Sequence, residues 1–552
     1  MNQTPHLPHL SSYRELGIET PEFDDRTLGE QIACHARERG DSMAMQFGDI
    51  QISFRDYERH ANKLANGLAS LGLKKGDVVG IHLPNIAHYP IALAAISKLG
   101  CIGSGVSPLL TPSEIEFQID NANIKVMLTL TDFVNLYSAR EQLPQCLKVL
   151  VACSATDLVV EATPELPAIA GVDTVSYLDL VHAQPQTHQQ VAVHWNDTFM
   201  IQYTGGTTGK PKGTELSIRN LMHNPAQAAV AEPWTLGEEV VACAFPMFHV
   251  AGLAMVLYSA RAAATMLLIP DPRDTEFFCR QMLTHPPTVI AAVPALYDML
   301  LKTPAFHQVD FTRLRVAYTG AAPLPAQTVE DLVAVIGEQK LSDLFGMTES
   351  SPAYVMHPPK RYKPGSVGIP VPGSEVRIVD TEDVEKTMPT GEAGEILACG
   401  PQIMKGYLHL PRETANSLRE IDGKTWLRTG DIGFLDEEGY LYLCDRAKDM
   451  LIVGGYKVFS VEIEDKLQSL PQVAMSAVIG KSDPKRPGNE IVTLYVERNP
   501  DFARLSEEDL KSIITDYCKA NMAPYKVPKE IHFIDQIPLT AVGKIDKKAL
   551  RA

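Results

Sequence analysis

The sequence is short of positive charge. Its 552 residues hold 50 Lys and Arg against 67 Asp and Glu, a net charge of −17. No global basic field exists to attract nucleic acid or an anionic membrane, so any phosphate binding must be local. The nine cysteines (Cys34, Cys101, Cys146, Cys153, Cys243, Cys279, Cys399, Cys444 and Cys518) are scattered, odd in number and without a Cys-x-x-Cys pair. This argues for reduced thiols in a cytoplasmic protein and against a zinc site. The stretch MNQTPHLPHLSSYRELG lacks the basic-then-apolar pattern of a signal peptide. The longest apolar region, Val250 to Ile269, is interrupted by Arg261 and reads as a buried helix followed by a strand, not as a membrane span. Internal repeats and low-complexity tracts are absent.

What is present is an ordinary globular composition, 45% hydrophobic, long enough for roughly three or four structural units. Residues 55 to 120 alternate helix and strand: YERHANKLANGLASLG has helical spacing, DVVGIHLP is a short β run, HYPIALAAISKLG is helical and CIGSGVSP closes the unit. Such alternation predicts a parallel α/β layer. The polar stretch Val181 to Asp197 reads as a connector. Alternation resumes with FMIQYTG, VVACAFP, ATMLLIP, TVIAAVP and RLRVAYTGAAP, apolar runs suited to a sheet covered on both faces. From about Glu375 short strands with Gly and Asp turns read as antiparallel or barrel-like β structure. From about Asp445 a small α+β segment follows, including a helix opened by Ser506-Glu507-Glu508-Asp509. The expected fold is α/β: a large domain of layered parallel sheets with helices and a small β-barrel-like section (residues 1–446, in sub-layers of about 1–185, 195–374 and 375–446), then a small α+β domain (447–552).

The motif Tyr203-Thr204-Gly205-Gly206-Thr207-Thr208-Gly209-Lys210-Pro211-Lys212-Gly213 combines glycines that bare backbone N–H groups with three threonine hydroxyls and two lysines, a set that suits a polyanion. It is not a Walker loop: Thr204 and Pro211 stand where that loop needs a glycine and a Ser or Thr. Pro211 biases Lys210 away from helix. A solvated Gly/Thr-rich turn is the bland alternative. FGMTES (Phe345 to Ser350) places an aromatic, a glycine, a hydroxyl and a carboxylate together; it could stack a purine on Phe345 and hold Mg2+ through Glu349, but alone it equally fits an N-capped turn. WLRTGD (Trp426 to Asp431) ends in an Asp that could accept ribose hydroxyls or sit in a β-turn. DRAKDMLIVGGYKVFSVEIE (Asp445 to Glu464) is either a junction at Gly454-Gly455 where backbone can swing or a hairpin with solvated charges. Lys544, in PLTAVGKI, is by itself uninformative.

The ordered set YTGGTTGKPKG, PMFHVAG, YTGAAPL, FGMTES, WLRTGD, DRAKD, GGYKV and PLTAVGKI resembles the ANL superfamily of adenylate-forming enzymes over nearly the whole chain. The resemblance implies that Mg·ATP activates a carboxylic acid to acyl-AMP and that a thiol, here coenzyme A, then takes the acyl group. It implies that Thr204, Gly205, Gly206, Thr207, Thr208, Gly209, Lys210 and Lys212 cradle the β- and γ-phosphates. Gly320, Ala321 and Ala322 would line the adenine and acyl pocket. Phe345, Gly346 and Met347 would border the base, with Thr348 at the α-phosphate and Glu349, with Thr204, at Mg2+. Asp431 and Arg446 would bind the ribose, and Lys544 would lie between the carboxylate and the α-phosphate. Lys448 matches the hinge of a domain alternation that brings Gly454, Gly455 and Lys457 to the site for the thiol step. His249 would sit near the acyl carboxylate and thiol channel, or be a satisfied core histidine. Departures are Ile218, where a His is usual, and Asn489, which splits Gly488 from Glu490.

Amino-acid-activating members place an Asp soon after a Phe to pair the substrate's ammonium. Here Phe245-Pro246-Met247-Phe248-His249 is followed by the almost wholly apolar VAGLAMVLYSA, so the expected tail is uncharged. The phosphate loop and VSPLLTPSEIEFQI are similar to medium- and long-chain fatty acyl-CoA ligases. Leu253 stands where some long-chain members carry a bulky aromatic gate, which leaves chain length open. An aryl or short branched-acid ligase, a carrier-protein loader and a luciferase-like oxygenase remain alternatives. Expected partners are a small carboxylic acid, ATP and CoA, without nucleic acid. A peripheral membrane visit and a homodimer stay open.

Overall fold

The structure is a computed structural model that describes residues 9–19, 21–139, 142–159, 163, 165–204, 211–320, 324–454, 456–483, 489–539 and 545–551. Contacts divide the chain into two compact units, residues 1–375 with 398–427 and residues 376–397 with 428–552.

The first unit is built on two large sheets. One has nine strands in the order Ile369–Pro370, Ala353–Met356, Leu341–Gly346, Val316–Gly320, Val289–Ala292, Val240–Cys243, Thr265–Leu268, Met43–Phe47 and Ile50–Ser53. From Leu341–Gly346 to Met43–Phe47 the strands run parallel, and antiparallel partners close both edges. Runs such as VIAA and VAYTG are buried at every position, as strands covered on both faces must be. The other sheet has eight strands, ordered Gly406–Tyr407, Lys212–Ser217, Thr198–Thr204, Ile102–Gly105, Val78–His82, Ile124–Leu130, Val149–Cys153 and Asp173–Ser176.

The two sheets exchange strands across the connector at 181–197. Met43–Phe47 pairs with Thr265–Leu268, and Ile102–Gly105 pairs with Thr198–Thr204. These pairings join residues more than ninety positions apart, which local periodicity does not encode. Helices fill the space beside the strands. His88–Leu99 is buried on every side, as a helix apolar all round should be. It packs on Leu28–Glu38, Phe54–Ser70 and the strands that flank it in sequence. The Val250–Ile269 region is the helix Val250–Arg261 followed by the strand Thr265–Leu268, and among the described residues no helix is long and apolar enough to cross a membrane.

In the second unit the strands Glu375–Val379, Gly394–Cys399, Lys424–Leu435 and Leu441–Arg446, or the greater part of each, lie side by side. A three-stranded sheet follows: Val473–Ser482 antiparallel to Glu490–Arg498, itself parallel to Glu530–Ile534. Helices Ser460–Leu467 and Glu507–Asn521 share its core through Ile463, Leu467, Val478, Leu494 and Ile514. Ser506 caps the second helix by accepting from the Asp509 N–H, and three acidic residues in its first turn complement the helix dipole. Within the Asp445–Glu464 stretch, Leu451–Val453 pairs antiparallel with Tyr456–Val458.

Candidate active site

Two strand ends frame the phosphate-loop motif. Thr198–Thr204 and Lys212–Ser217 form an antiparallel ladder whose last register pair is Thr204 with Lys212. The hairpin therefore brings these two predicted residues together. Gly205, Gly206, Thr207, Thr208, Gly209 and Lys210 lie outside the described residues. The free edge of Lys212–Ser217 pairs with Gly406–Tyr407, where the Leu408 N–H donates to Gly213 O at 2.8 Å.

Glu349 joins this group. It sits in the short helical turn Thr348–Ser350, buried at 5% exposure. Its backbone oxygen accepts from the Met404 N–H at 2.9 Å, and its Oε1 accepts from the Tyr407 hydroxyl at 2.6 Å. Lys212 Nζ stands 4.1 Å from the Tyr407 ring centroid, within cation–π range. Sequence reasoning singled out Lys212 and Glu349 and missed Tyr407, the group between them; its only signal was an aromatic in MKGY, outside the motifs used.

The remaining predicted residues of the first unit gather at the carboxyl ends of neighbouring parallel strands, where open α/β sheets take their ligands. Gly320 ends Val316–Gly320 in register with Leu344, and a Cβ there would lie 2.7 Å from Leu344 O. Ala321 and Ala322 lie outside the described residues. Phe345 and Gly346 end the next strand, with the Phe345 ring edge-on to Tyr354 at 5.4 Å. The Met347 N–H donates to Pro352 O at 3.0 Å, which folds the chain back and presents Thr348 and Glu349.

His249 follows Val240–Cys243 and caps the helix Val250–Arg261. Its Nδ1 accepts from the Ala251 N–H at 3.3 Å, an arrangement that leaves the ring proton on Nε2. The loop before it is clamped by buried Asn85, which donates to Phe245 O at 3.1 Å and accepts from the Met247 N–H at 2.8 Å. Asn85 was likewise not anticipated. Gly252 allows the loop to close over the helix, because a Cβ there would lie 2.2 Å from Pro246 O.

In the second unit Asp431 and Arg446 face each other across a ladder, with Arg446 Nε 2.7 Å from Asp431 Oδ1. Asp431 is buried, and its N–H donates to Thr429 Oγ1 at 3.1 Å. Lys448 follows two residues on, exposed. Gly454 turns the Leu451–Val458 hairpin at φ 62° and donates to Asn489 Oδ1. Beside it the Ile452 N–H donates to Glu490 Oε2 at 2.8 Å. The pair Asn489-Glu490, a departure from the family pattern, therefore braces this hairpin. Lys457 Nζ donates to Thr381 Oγ1 at 3.0 Å. Gly455 and Lys544 lie outside the described residues; Leu539 and Ile545, which flank the Lys544 segment, form an antiparallel bridge.

The donor set fits Mg2+. Glu349 would offer a buried carboxylate and Thr204 a hydroxyl, the hard oxygen ligands this ion prefers, used with substrate phosphates and water in place of an all-protein cage. Among the described residues no group of three or more His, Cys, Asp or Glu could hold a metal.

The AMP-binding enzyme family matches residues 32–408, and the AMP-binding enzyme C-terminal domain matches residues 462–544. The chain belongs to the AMP-binding enzyme family. It is 33% identical to a long-chain-fatty-acid–CoA ligase of Escherichia coli O6:H1, over 92% of this chain and 91% of that one. It is 30% identical to 4-coumarate–CoA ligase 2 of Solanum tuberosum, over 91% and 89%. These likenesses indicate an AMP-forming acid–CoA ligase. Among solved structures, the anthranilate CoA ligase AuaEII with anthranoyl-AMP superposes with a TM-score of 0.81 at 28% identity, covering 95% of this chain and 96% of that one. The o-succinylbenzoate CoA synthetase MenE of Bacillus subtilis, with ATP and magnesium, does so at 0.77 and 25% identity, covering 95% and 99%.

Proposed function

We propose that this protein is a fatty acyl-CoA ligase for medium- or long-chain acids, working in two half-reactions. A carboxylate oxygen of the acid attacks the α-phosphorus of ATP, and the bond to pyrophosphate breaks, leaving acyl-AMP. The thiol of CoA then attacks the acyl carbon, and the bond to AMP breaks. The observation that carries the chain preference is the helix after His249: Gly252 to Ala260 is buried throughout and holds no charged residue to pair a polar tail.

In this reading Thr204, the glycines and threonines after it, Lys210 and Lys212 hold the polyphosphate. Glu349 and Thr204 hold Mg2+, which when bound supplies charge neutralisation at the phosphates. Phe345 packs on adenine beside Gly320, Ala321, Ala322, Gly346 and Met347, Thr348 meets the α-phosphate, and Asp431 with Arg446 takes the ribose. His249 lies near the acyl carboxylate. Lys544 meets the charge that gathers between carboxylate and α-phosphate; a preorganised ammonium there contributes roughly a hundredfold or more in rate. Rotation about Lys448 then presents Gly454, Gly455 and Lys457 for the thiol step. The domain boundary proposed is 446/447, and the compartment proposed is the cytoplasm.

An aryl-acid ligase is the second reading, favoured by the likeness to the potato 4-coumarate enzyme. The test is AMP and acyl-CoA release with Mg·ATP, CoA and straight-chain acids from acetate to oleate, with benzoate and cinnamate alongside. The expected result is acyl-CoA release peaking at one medium or long chain. A peak on an aryl acid would overturn the fatty-acid reading, and acyl-AMP without acyl-CoA would point to a carrier protein as acceptor.

A further inference from the structure

We propose that Tyr407 is a positioning residue for nucleotide-bound magnesium, holding the Glu349 carboxylate in the orientation the ion requires while its ring supports Lys212. The inference rests on the proposed assignment of Glu349 to the metal. Its hydrogen bond to Glu349 Oε1, at 2.6 Å, is short and charge-assisted, and it occupies one of the two carboxylate oxygens. The same segment grips Glu349 twice, since Met404 also donates to its backbone oxygen.

Tyr407 is itself fixed. It is 6% exposed, its backbone is in register with Thr214, and its N–H donates to Thr414 Oγ1 at 2.8 Å. Lys212 over the ring extends the link to the strand that leaves the phosphate loop. One side chain thus couples the orientation of the metal carboxylate to a lysine of the anion site. Groups that orient ligands in this way tune metal affinity by about ten- to a hundredfold.

The test uses the full-length enzyme with Tyr407→Phe, which removes the hydroxyl and keeps the ring. Binding of Mn2+ with a non-hydrolysable ATP analogue, followed by electron paramagnetic resonance, should weaken about tenfold. The Mg2+ concentration for half-maximal acyl-AMP formation should rise in step, with the rate recovering as Mg2+ is raised, and CoA transfer from supplied acyl-AMP should be unaffected. Glu349→Gln separates the two assumptions. If Glu349→Gln leaves Mn2+ binding unchanged, the metal assignment is wrong. If Glu349→Gln weakens it and Tyr407→Phe does not, or if Tyr407→Phe lowers the rate equally at every Mg2+ concentration, the role of Tyr407 is overturned. Should Tyr407→Phe not fold, Thr414→Val, which frees the Tyr407 N–H, should shift Mn2+ binding in the same direction, and no shift would count equally against it.

Discussion

Asp343 stands two residues before Phe345 on one strand, so both side chains leave the same face of the sheet. Burial pushes its carboxyl up to about 7, partly offset by a hydrogen bond with Tyr362. His357 Nδ1 lies 3.7 Å from Asp343 Oδ2 but is no counter-ion: burial pushes this imidazole down to about 4, and Nδ1 accepts from the Asp343 N–H at 3.2 Å. A carboxyl raised on folding holds its proton more tightly in the folded state. Its contribution is therefore fully present below the unfolded value near 4 and is lost as pH rises through about 7. Asp343→Asn lacks this titration. Relative to wild type it should gain stability between pH 4 and pH 7, at up to about 1.4 kcal/mol per pH unit, and level off above. Urea unfolding of both proteins across that range measures it; a flat difference would refute the burial argument. Candidate residues stood out in the sequence where chemistry is concentrated in a short motif, as at Thr204, Lys212, Glu349 and Asp431. Tyr407 and Asn85 did not, because each acts on partners 58 and more than 150 positions away, and nothing local marks a tyrosine or asparagine as a clamp.

At the scale of elements, alternation and caps gave those strands and helices that were read from them to within a few residues. Examples are the helix after Ser506 and the strands VVAC and VIAA. Pairing was not legible, since period-two patterns fix which face a residue occupies but not which distant strand it meets. The turn at FGMTES shows how tightly one element is specified. A Cβ on Gly346 would lie 1.9 Å from Pro352 O, a backbone atom that cannot swing aside, whereas Gly391 has open space around its Cβ position. Gly346→Ala should cost about 3 kcal/mol or more by overpacking and displace Thr348 and Glu349, with acyl-AMP formation lost. Gly391→Ala should cost only about 1 kcal/mol, from its positive φ of 82°. Denaturant melts of the pair distinguish packing from conformational strain.

At the scale of the molecule, the proposed alternation predicts opposite defects for two lysines. Lys544→Ala should abolish acyl-AMP formation, a loss of roughly a hundredfold or more, while CoA transfer from supplied acyl-AMP largely survives. Lys448→Pro should do the reverse, stalling after adenylation because the backbone freedom of the hinge is gone. Separate assays of the two half-reactions check both, and equal loss in each assay for either variant would refute the alternation.

The two large sheets also end in ways that govern association. The eight-stranded sheet stops at Gly406–Tyr407 and the nine-stranded sheet at Ile369–Pro370, each only two residues long, the latter ending in a proline that has no N–H to offer. Stubs of this length give a second chain little to zip onto. At these two margins the protein resists runaway strand addition in a crowded solution, and pairing of copies there would have to proceed through side chains and not through a shared sheet.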